Sequence, residues 1–102
     1  MKIDLNPNEL VIKASDSSHI FDGGEVKGKL ILTNQKLYFK SFNGHNGDNN
    51  FEISPSEIED VMLFANRFLF PTGLSIVAKS GKENKFLVKK REEWNQMIVS
   101  MC

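Results

Sequence analysis

The 102-residue sequence is poor in cysteine, histidine, proline and tryptophan. Its one cysteine, Cys102, excludes an internal disulfide and fits a reducing compartment. The first residues lack the basic and then apolar pattern of a secretory leader. No apolar run approaches the roughly 18 to 20 residues that a membrane span needs. The sequence therefore predicts a cytoplasmic protein that contacts a membrane, if at all, only at its surface.

The charges show no excess of either sign, with thirteen basic and thirteen acidic side chains. A chain with zero net charge has no global field that would attract nucleic acid, and we expect no nucleic-acid partner. The charges are unevenly spread, however. Residues 48–60 carry five acids and no base, while residues 79–91 carry six bases and one acid. Such blocks indicate either a bipolar surface or the solvated faces of adjacent strands.

Residues with catalytic or metal-binding chemistry are scarce. Both histidines, His19 and His45, fall in predicted loops, and neither accompanies a recognisable serine or cysteine nucleophile. Asp48 and Glu52 flank a polar loop, but their spacing does not follow an EF-hand loop. We therefore expect a protein that is not an enzyme and that has no catalytic residues, no metal and no cofactor.

The alternation of apolar and polar residues predicts about seven short strands. Val26 to Thr33 alternates with the period of two that a half-buried strand requires, and a tight turn at 34–36 joins it to residues 37–40. The Asn- and Gly-rich residues 43–50 read as a long hairpin loop. The other strand signals lie at residues 9–14, 51–53, 58–64, 73–78 and 85–88, with a helical turn at 54–57.

The last twelve residues change to a helical period. Trp94, Met97, Ile98 and Met101 are spaced i, i+3, i+4 and i+7, which places one apolar stripe on an α-helix. A helix this short is marginal in isolation, so the stripe must pack against the sheet, with Trp94 as its largest anchor. Most of the eight Phe side chains are expected in the same core, because Phe has no polar group.

Several segments resemble, in order, those of a GRAM domain of the stand-alone bacterial type. They are ELV at 9–11, GKLILTNQKLYF at 28–39, ISPSEIEDV at 53–61, GLSIV at 73–77, FLV at 86–88 and REEW at 91–94. This resemblance covers nearly the whole chain and implies a single domain, residues 1–102, of the pleckstrin-homology (PH)-like superfold. That fold is mainly β: a barrel of about seven strands in two bent antiparallel sheets, capped by one C-terminal helix.

The resemblance also implies a binding rim made of the loops at 15–25, 43–50 and 79–84. Lipid-binding members carry basic residues at the first of these loops. The candidate ligand-binding residues here are Lys27, Lys29, Lys82 and Lys85. Three acids, Asp16, Asp22 and Glu25, lie in or beside the first loop and would repel a phosphate, so a specific phosphoinositide site is not favoured.

A second candidate surface is the apolar connection at residues 64–71, which contains Arg67 and Phe68. If exposed, it would form an adhesive patch for a partner; if buried, it would be a hinge between sheets. The resemblance implies a third route, because relatives of the phosphotyrosine-binding type add a peptide strand between strand five and the C-terminal helix.

We therefore predict a binding module of the adaptor type, with a protein or a second copy of itself as partner. The alternative is peripheral binding to anionic lipid headgroups through the basic rim.

Overall fold

The computed structural model of the chain describes residues 6–21, 24–42, 50–64 and 73–102, except for the side chain of Phe21. Seven strands, one 3-10 turn and one α-helix follow each other along the chain. The strands are β1 (Val11–Phe21), β2 (Gly24–Thr33), β3 (Leu37–Ser41), β4 (Phe51–Ile53), β5 (Ile58–Phe64), β6 (Gly73–Ala78) and β7 (Glu83–Val88). The 3-10 turn is Pro55–Glu57, and helix α1 is Arg91–Val99.

All seven strands belong to one antiparallel sheet in the order β4-β3-β2-β1-β7-β6-β5. The two predicted sheets are thus joined into one, because β1 pairs with β2 along its length and with β7 over Ser17–Ile20. The sheet curls around a core to which six strands and α1 contribute. The predicted seven strands and C-terminal helix are confirmed.

The prediction that the apolar stripe of the helix packs against the sheet is confirmed. Trp94 and Ile98 are fully buried among the side chains of the sheet, and Met97 and Met101 pack against the same cluster. The Arg91 guanidinium at the start of α1 donates hydrogen bonds to the backbone carbonyls of Phe64 and Gly73. The end of β5 and the start of β6 are therefore held to the first turn of the helix.

Gly28 lies where β2 and β3 come close together, as its position inside a strand indicates. A Cβ atom at this position would collide with the backbone carbonyl of Lys40 and would lie 2.7 Å from Cζ of Phe39. Any larger residue would push the two strands apart. Gly28 therefore permits the tight curvature that brings Phe39 into the core.

The segment before β1 lies against the outer side of the sheet, the side turned away from the core. Glu9 is only 4% exposed and accepts hydrogen bonds from the hydroxyls of Thr33 and Tyr38. Asn34 fixes the same segment through its side-chain contacts with the backbone of Leu10 and Asn8. These contacts cover Tyr38, which would otherwise be exposed on the outside of the curl.

The prediction of a first loop at residues 15–25 is wrong for most of these residues. β1 continues to Phe21 and β2 begins at Gly24, with residues 22–23 outside the described part of the chain. Hydrogen bonding to strands on both sides holds residues 17–20 extended despite their serine-rich sequence. His19 is consequently a strand residue and not the predicted loop residue.

Candidate functional site

Lysine side chains gather on the outer face of the sheet, the face turned away from the core. Residues opposite each other in neighbouring strands project from the same face. Lys27 lies opposite Ser18, which lies opposite Leu87, while Lys29 lies between Asp16 and Lys40. The basic face is defined by these outward lysines together with their neighbour at the end of β7: Lys27, Lys29, Lys40, Lys85 and Lys89.

An open cleft of about 320 Å³ lies within the basic face. We call it the outer cleft, and its principal lining residues are Asp16, Ser18, Lys27, Phe42, Leu87 and Lys89. It crosses β2, β1 and the end of β7, so it exists only because β1 pairs on both sides. Its volume is at the lower end of the range of small-molecule sites.

The acidic side chain in the outer cleft is Asp16. Its carboxylate is 3.9 Å from the ammonium of Lys29, and the two side chains are 81% and 40% exposed, respectively. An ion pair this exposed is weak and well screened. Asp16 therefore stays available to a ligand, as do the exposed Lys27 and Lys89 on either side of it.

Phe42 gives the outer cleft an apolar wall and is itself 52% exposed. Its backbone N–H donates to the carbonyl of Lys27, which holds it beside that lysine at the end of β3. The prediction that most Phe side chains fill the core does not apply to it. Leu87, half-buried at the centre of the sheet, lines the cleft as well.

The four predicted lysines do not all lie together. Lys27, Lys29 and Lys85 belong to the basic face, and the Lys85 ammonium lies 5.7 Å from the ring centre of Phe64. Lys82, in contrast, follows the β6–β7 turn and lines a second cleft of about 360 Å³ with Glu52, Glu57 and Lys79. Carboxylates of the predicted acidic block and bases of the basic block thus meet in this second cleft.

His19 projects toward the inside of the curl and is half-buried among phenylalanines. Its ring stacks on Phe86 at 4.8 Å and meets Phe39 edge-on at 5.5 Å. Burial, and then repulsion from Lys82, lower its pKa below the ordinary value of 6.5. At neutral pH the ring is therefore uncharged and acts as part of the packing.

The other predicted candidates fall outside the described residues. They are Arg67 and Phe68 in the connection at 64–71, of which the structure describes only Phe64, and His45 in the predicted hairpin loop. Within the four described ranges there is no group of three or more His, Cys, Asp or Glu side chains that could hold a metal ion. None of the helices in the described residues is long and apolar enough to cross a membrane.

Sequence reasoning named three of the basic-face lysines and missed Lys40 and Lys89. The position of Lys40 could have been predicted from the sequence pattern, because the turn at 34–36 sets Leu37 opposite Leu32 and hence Lys40 opposite Lys29. The position of Lys89 could not, because it depends on the long-range pairing of β1 with β7.

The profile of one protein family, described as the GRAM domain, matches residues 1–101. The chain belongs to the GRAM domain family. The predicted resemblance is therefore confirmed at the level of the family. No curated protein matches the chain.

Solved structures place this GRAM domain in the PH-like fold. The C-terminal domain of an unknown protein from Leishmania infantum is similar, with a TM-score of 0.80, 16% identity and coverage of 93% of this chain and 85% of that one. The Vps36 N-terminal PH domain has a TM-score of 0.70, 12% identity and coverage of 95% and 84%. The Slm1 PH domain in complex with phosphoserine has a TM-score of 0.62, 16% identity and coverage of 89% and 91%.

GRAM and PH-like domains are, as a class, modules that bind lipids or proteins and are generally not catalytic. The chain therefore has the fold of a binding module.

Proposed function

We propose that this GRAM domain is a non-enzymatic module that attaches to anionic membrane surfaces through its basic face. The observation that carries the proposal is the gathering of five lysines on the outside of neighbouring strands that bound one cleft. The sequence favoured a protein partner because the first loop looked acidic. The fold instead sets Asp16 among lysines and turns that loop into strand.

The basic face includes a cross-strand pair of like charges that lowers the stability of the fold. Lys29 and Lys40 lie directly opposite each other in an antiparallel ladder. Like charges in this arrangement are destabilising, and cross-strand pairs are typically worth about 0.2 to 1 kcal/mol. Local choices that oppose stability concentrate at functional sites. An anionic surface would relieve this repulsion.

The expected strength is modest. Three carboxylates, Asp16, Glu25 and Glu83, project from the same face as the five lysines and reduce its effective charge to about two. Each basic residue close to an anionic bilayer contributes about 1 kcal/mol, so the face supplies about 2 kcal/mol, or roughly a thirtyfold enrichment. The exposed ring of Phe42 adds an apolar contact beside Lys27. Such attachment is reversible and sensitive to salt.

Phosphate chemistry is compatible with this fold. The Slm1 PH domain, which shares the fold at 16% identity, has been solved with phosphoserine. That complex is a precedent within the fold for a phosphate-bearing ligand.

The test is co-sedimentation with vesicles of phosphatidylcholine, with and without phosphatidylglycerol, at low and physiological salt. We expect salt-sensitive binding to the anionic vesicles only. Lys40→Glu with Lys85→Glu removes charge from two sides of the basic face without altering the outer cleft, and should abolish binding. The matched control, Lys79→Glu with Lys82→Glu, changes the net charge equally but alters the second cleft. Equal loss in both variants, or no binding by the unaltered chain, would reject the basic face as the contact.

A protein partner remains the second candidate, supported by the edge strand. β5 closes one end of the sheet order and carries Met62 and Leu63, which are 44% and 38% exposed. An edge strand with apolar side chains can accept an added strand from a partner or a second copy. Met62→Lys should then lower the apparent mass in sedimentation equilibrium or abolish capture of a partner. Arg67 and Phe68, which follow β5 in the sequence, stay predictions for this surface.

A further inference from the structure

Charges of opposite sign alternate across the outer cleft. Lys27 on β2 and Lys89 after β7 lie on either side of β1, which contributes Asp16. The hydroxyl residue Ser18 lies between Lys27 and Leu87 in register. The cleft thus presents a cation from β2, an anion from β1 and a cation from the turn after β7.

A simple phosphate does not match this pattern. Lys27 and Lys89 would attract it, but Asp16 lines the same cleft and would repel it, since its pairing with Lys29 is long and exposed. A ligand that carries an ammonium close to its phosphate turns this repulsion into an attraction. Phe42 and Leu87 supply apolar contact for the carbon atoms between the two charges.

We infer that the outer cleft binds an aminophosphate headgroup of a membrane phospholipid, with the phosphate between Lys27 and Lys89 and the ammonium against Asp16. This inference rests on the proposed function and adds a ligand class to it. A cleft of about 320 Å³ suits a small headgroup of this kind. A phosphoserine within a peptide lacks the free ammonium and would meet Asp16 with its phosphate alone.

The first test uses soluble probes and amide chemical shifts of the full chain in NMR titrations. O-phosphoethanolamine carries the phosphate and the ammonium; glycerol 3-phosphate carries the phosphate without the amine. We expect shifts at Ser18, Lys27 and Leu87, and tighter binding of phosphoethanolamine by about three- to fivefold, the value of one exposed ion pair. Absence of shifts around the cleft, or equal affinity for both probes, would overturn the inference.

Asp16→Asn supplies the decisive comparison. The side chain is exposed, so the substitution keeps its shape and leaves the fold intact. It should weaken phosphoethanolamine binding and strengthen glycerol 3-phosphate binding, which reverses the preference. Glu25→Gln, which removes a carboxylate from the same face but outside the cleft, is the matched control and should change neither. Equal strengthening of both probes by Asp16→Asn would show that the cleft recognises phosphate alone.

Vesicles identify the source of the headgroup. Phosphatidylcholine carries a quaternary ammonium without an N–H that could be donated to Asp16. Replacing it by phosphatidylethanolamine at constant phosphatidylglycerol content should therefore raise the bound fraction of the unaltered chain, but not of Asp16→Asn. If soluble phosphoethanolamine binds while this replacement has no effect, a membrane headgroup is rejected. Binding to phosphatidylglycerol vesicles without any preference for the amine would reject this inference and leave the proposed function standing.

Discussion

The hydroxyl of Tyr38 donates a hydrogen bond of 2.7 Å to Oε2 of Glu9, although 29 residues separate them in the chain. The same carboxylate oxygen accepts a hydrogen bond of 2.6 Å from the Thr33 hydroxyl, and Oε1 accepts one from the Asn6 backbone. A buried carboxylate with three donors is well satisfied. It fixes the segment before β1 to the β2–β3 hairpin.

Replacing Tyr38 by Phe should destabilise the fold by about 1 to 3 kcal/mol, because a hydrogen bond to a charged, buried acceptor is lost. The ring itself still fills its site, so the loss reports on the hydroxyl. Urea unfolding at pH 7, followed by the fluorescence of Trp94, gives the free energy of unfolding.

Glu9→Leu, which removes both acceptor oxygens, provides the matching background for a double-mutant cycle. This substitution and Tyr38→Phe remove the two partners of one contact, so their effects should differ from additivity by at least about 0.5 kcal/mol. Strict additivity would mean that the hydrogen bond contributes nothing to stability.

The pKa of Glu9 predicts an acid-dependent part of the stability. Burial raises this pKa, but the hydrogen bonds from Thr33, Tyr38 and Asn6 together outweigh burial and lower it below 4.5. A carboxyl with a lower pKa in the folded chain stabilises the fold above its unfolded pKa, and loses that contribution as the pH falls through the folded value. Unfolding free energy measured from pH 7 to pH 3 should therefore fall less steeply for Glu9→Gln. An unchanged slope in Glu9→Gln would refute the assignment.

His19 makes a separate contribution at higher pH. Because burial and then Lys82 lower its folded pKa, the unfolded chain takes up a proton near pH 6.5 while the folded chain does not. Stability should thus decline as the pH falls from about 6.5 to the folded pKa, and then level off. His19→Phe, which places an apolar ring beside Phe39 and Phe86, should remove this decline.

The ring resonances of His19 give a direct measurement of the same pKa. The chain has one other histidine, His45, and a His45→Gln variant assigns the signals. Lys82→Gln should move the midpoint of His19 upward by removing the repulsion. A midpoint at or above 6.5 in the unaltered chain contradicts the packing described here.

Local patterns predicted most of the fold. The alternation over Val26 to Thr33 and the tight turn after it gave the β2–β3 hairpin, because both are properties of neighbouring residues. The stripe led by Trp94 gave the helix and its buried side. The extent of β1 was not predictable in this way, since serine-rich residues 15–18 are held extended by pairing with β2, and Ser17 and Ser18 also by pairing with β7, which is distant in sequence.

The candidate site was predicted only in part, because it too depends on pairing between strands that are distant in sequence. Lys27 and Lys29 were identified from a resemblance that placed them at the base of the first rim loop, whereas the structure extends β1 beside them and sets Ser18 opposite Lys27 and Asp16 opposite Lys29. Lys82 and Lys85 are three residues apart, yet one lines the second cleft and the other lies on the basic face. Sequence proximity does not tell which face of a strand, or which side of a turn, a side chain occupies.

The hydrogen bonds of Arg91 could not be predicted from the sequence, because their acceptors are backbone carbonyls. Its guanidinium donates to the carbonyls of Phe64 and Gly73, where β5 ends and β6 begins beside the helix. Arg91→Met keeps much of the apolar stem and removes the donors, which leaves two carbonyls without their partner. We expect a loss of about 1 to 3 kcal/mol in the free energy of unfolding. Hydrogen exchange should rise first at the Phe64 and Gly73 ends of β5 and β6.

The control is Lys89→Met, at a neighbouring exposed residue. It should change the free energy of unfolding by no more than about 0.5 kcal/mol. Equal effects of the two substitutions would show that the guanidinium does not hold the strand ends to the helix.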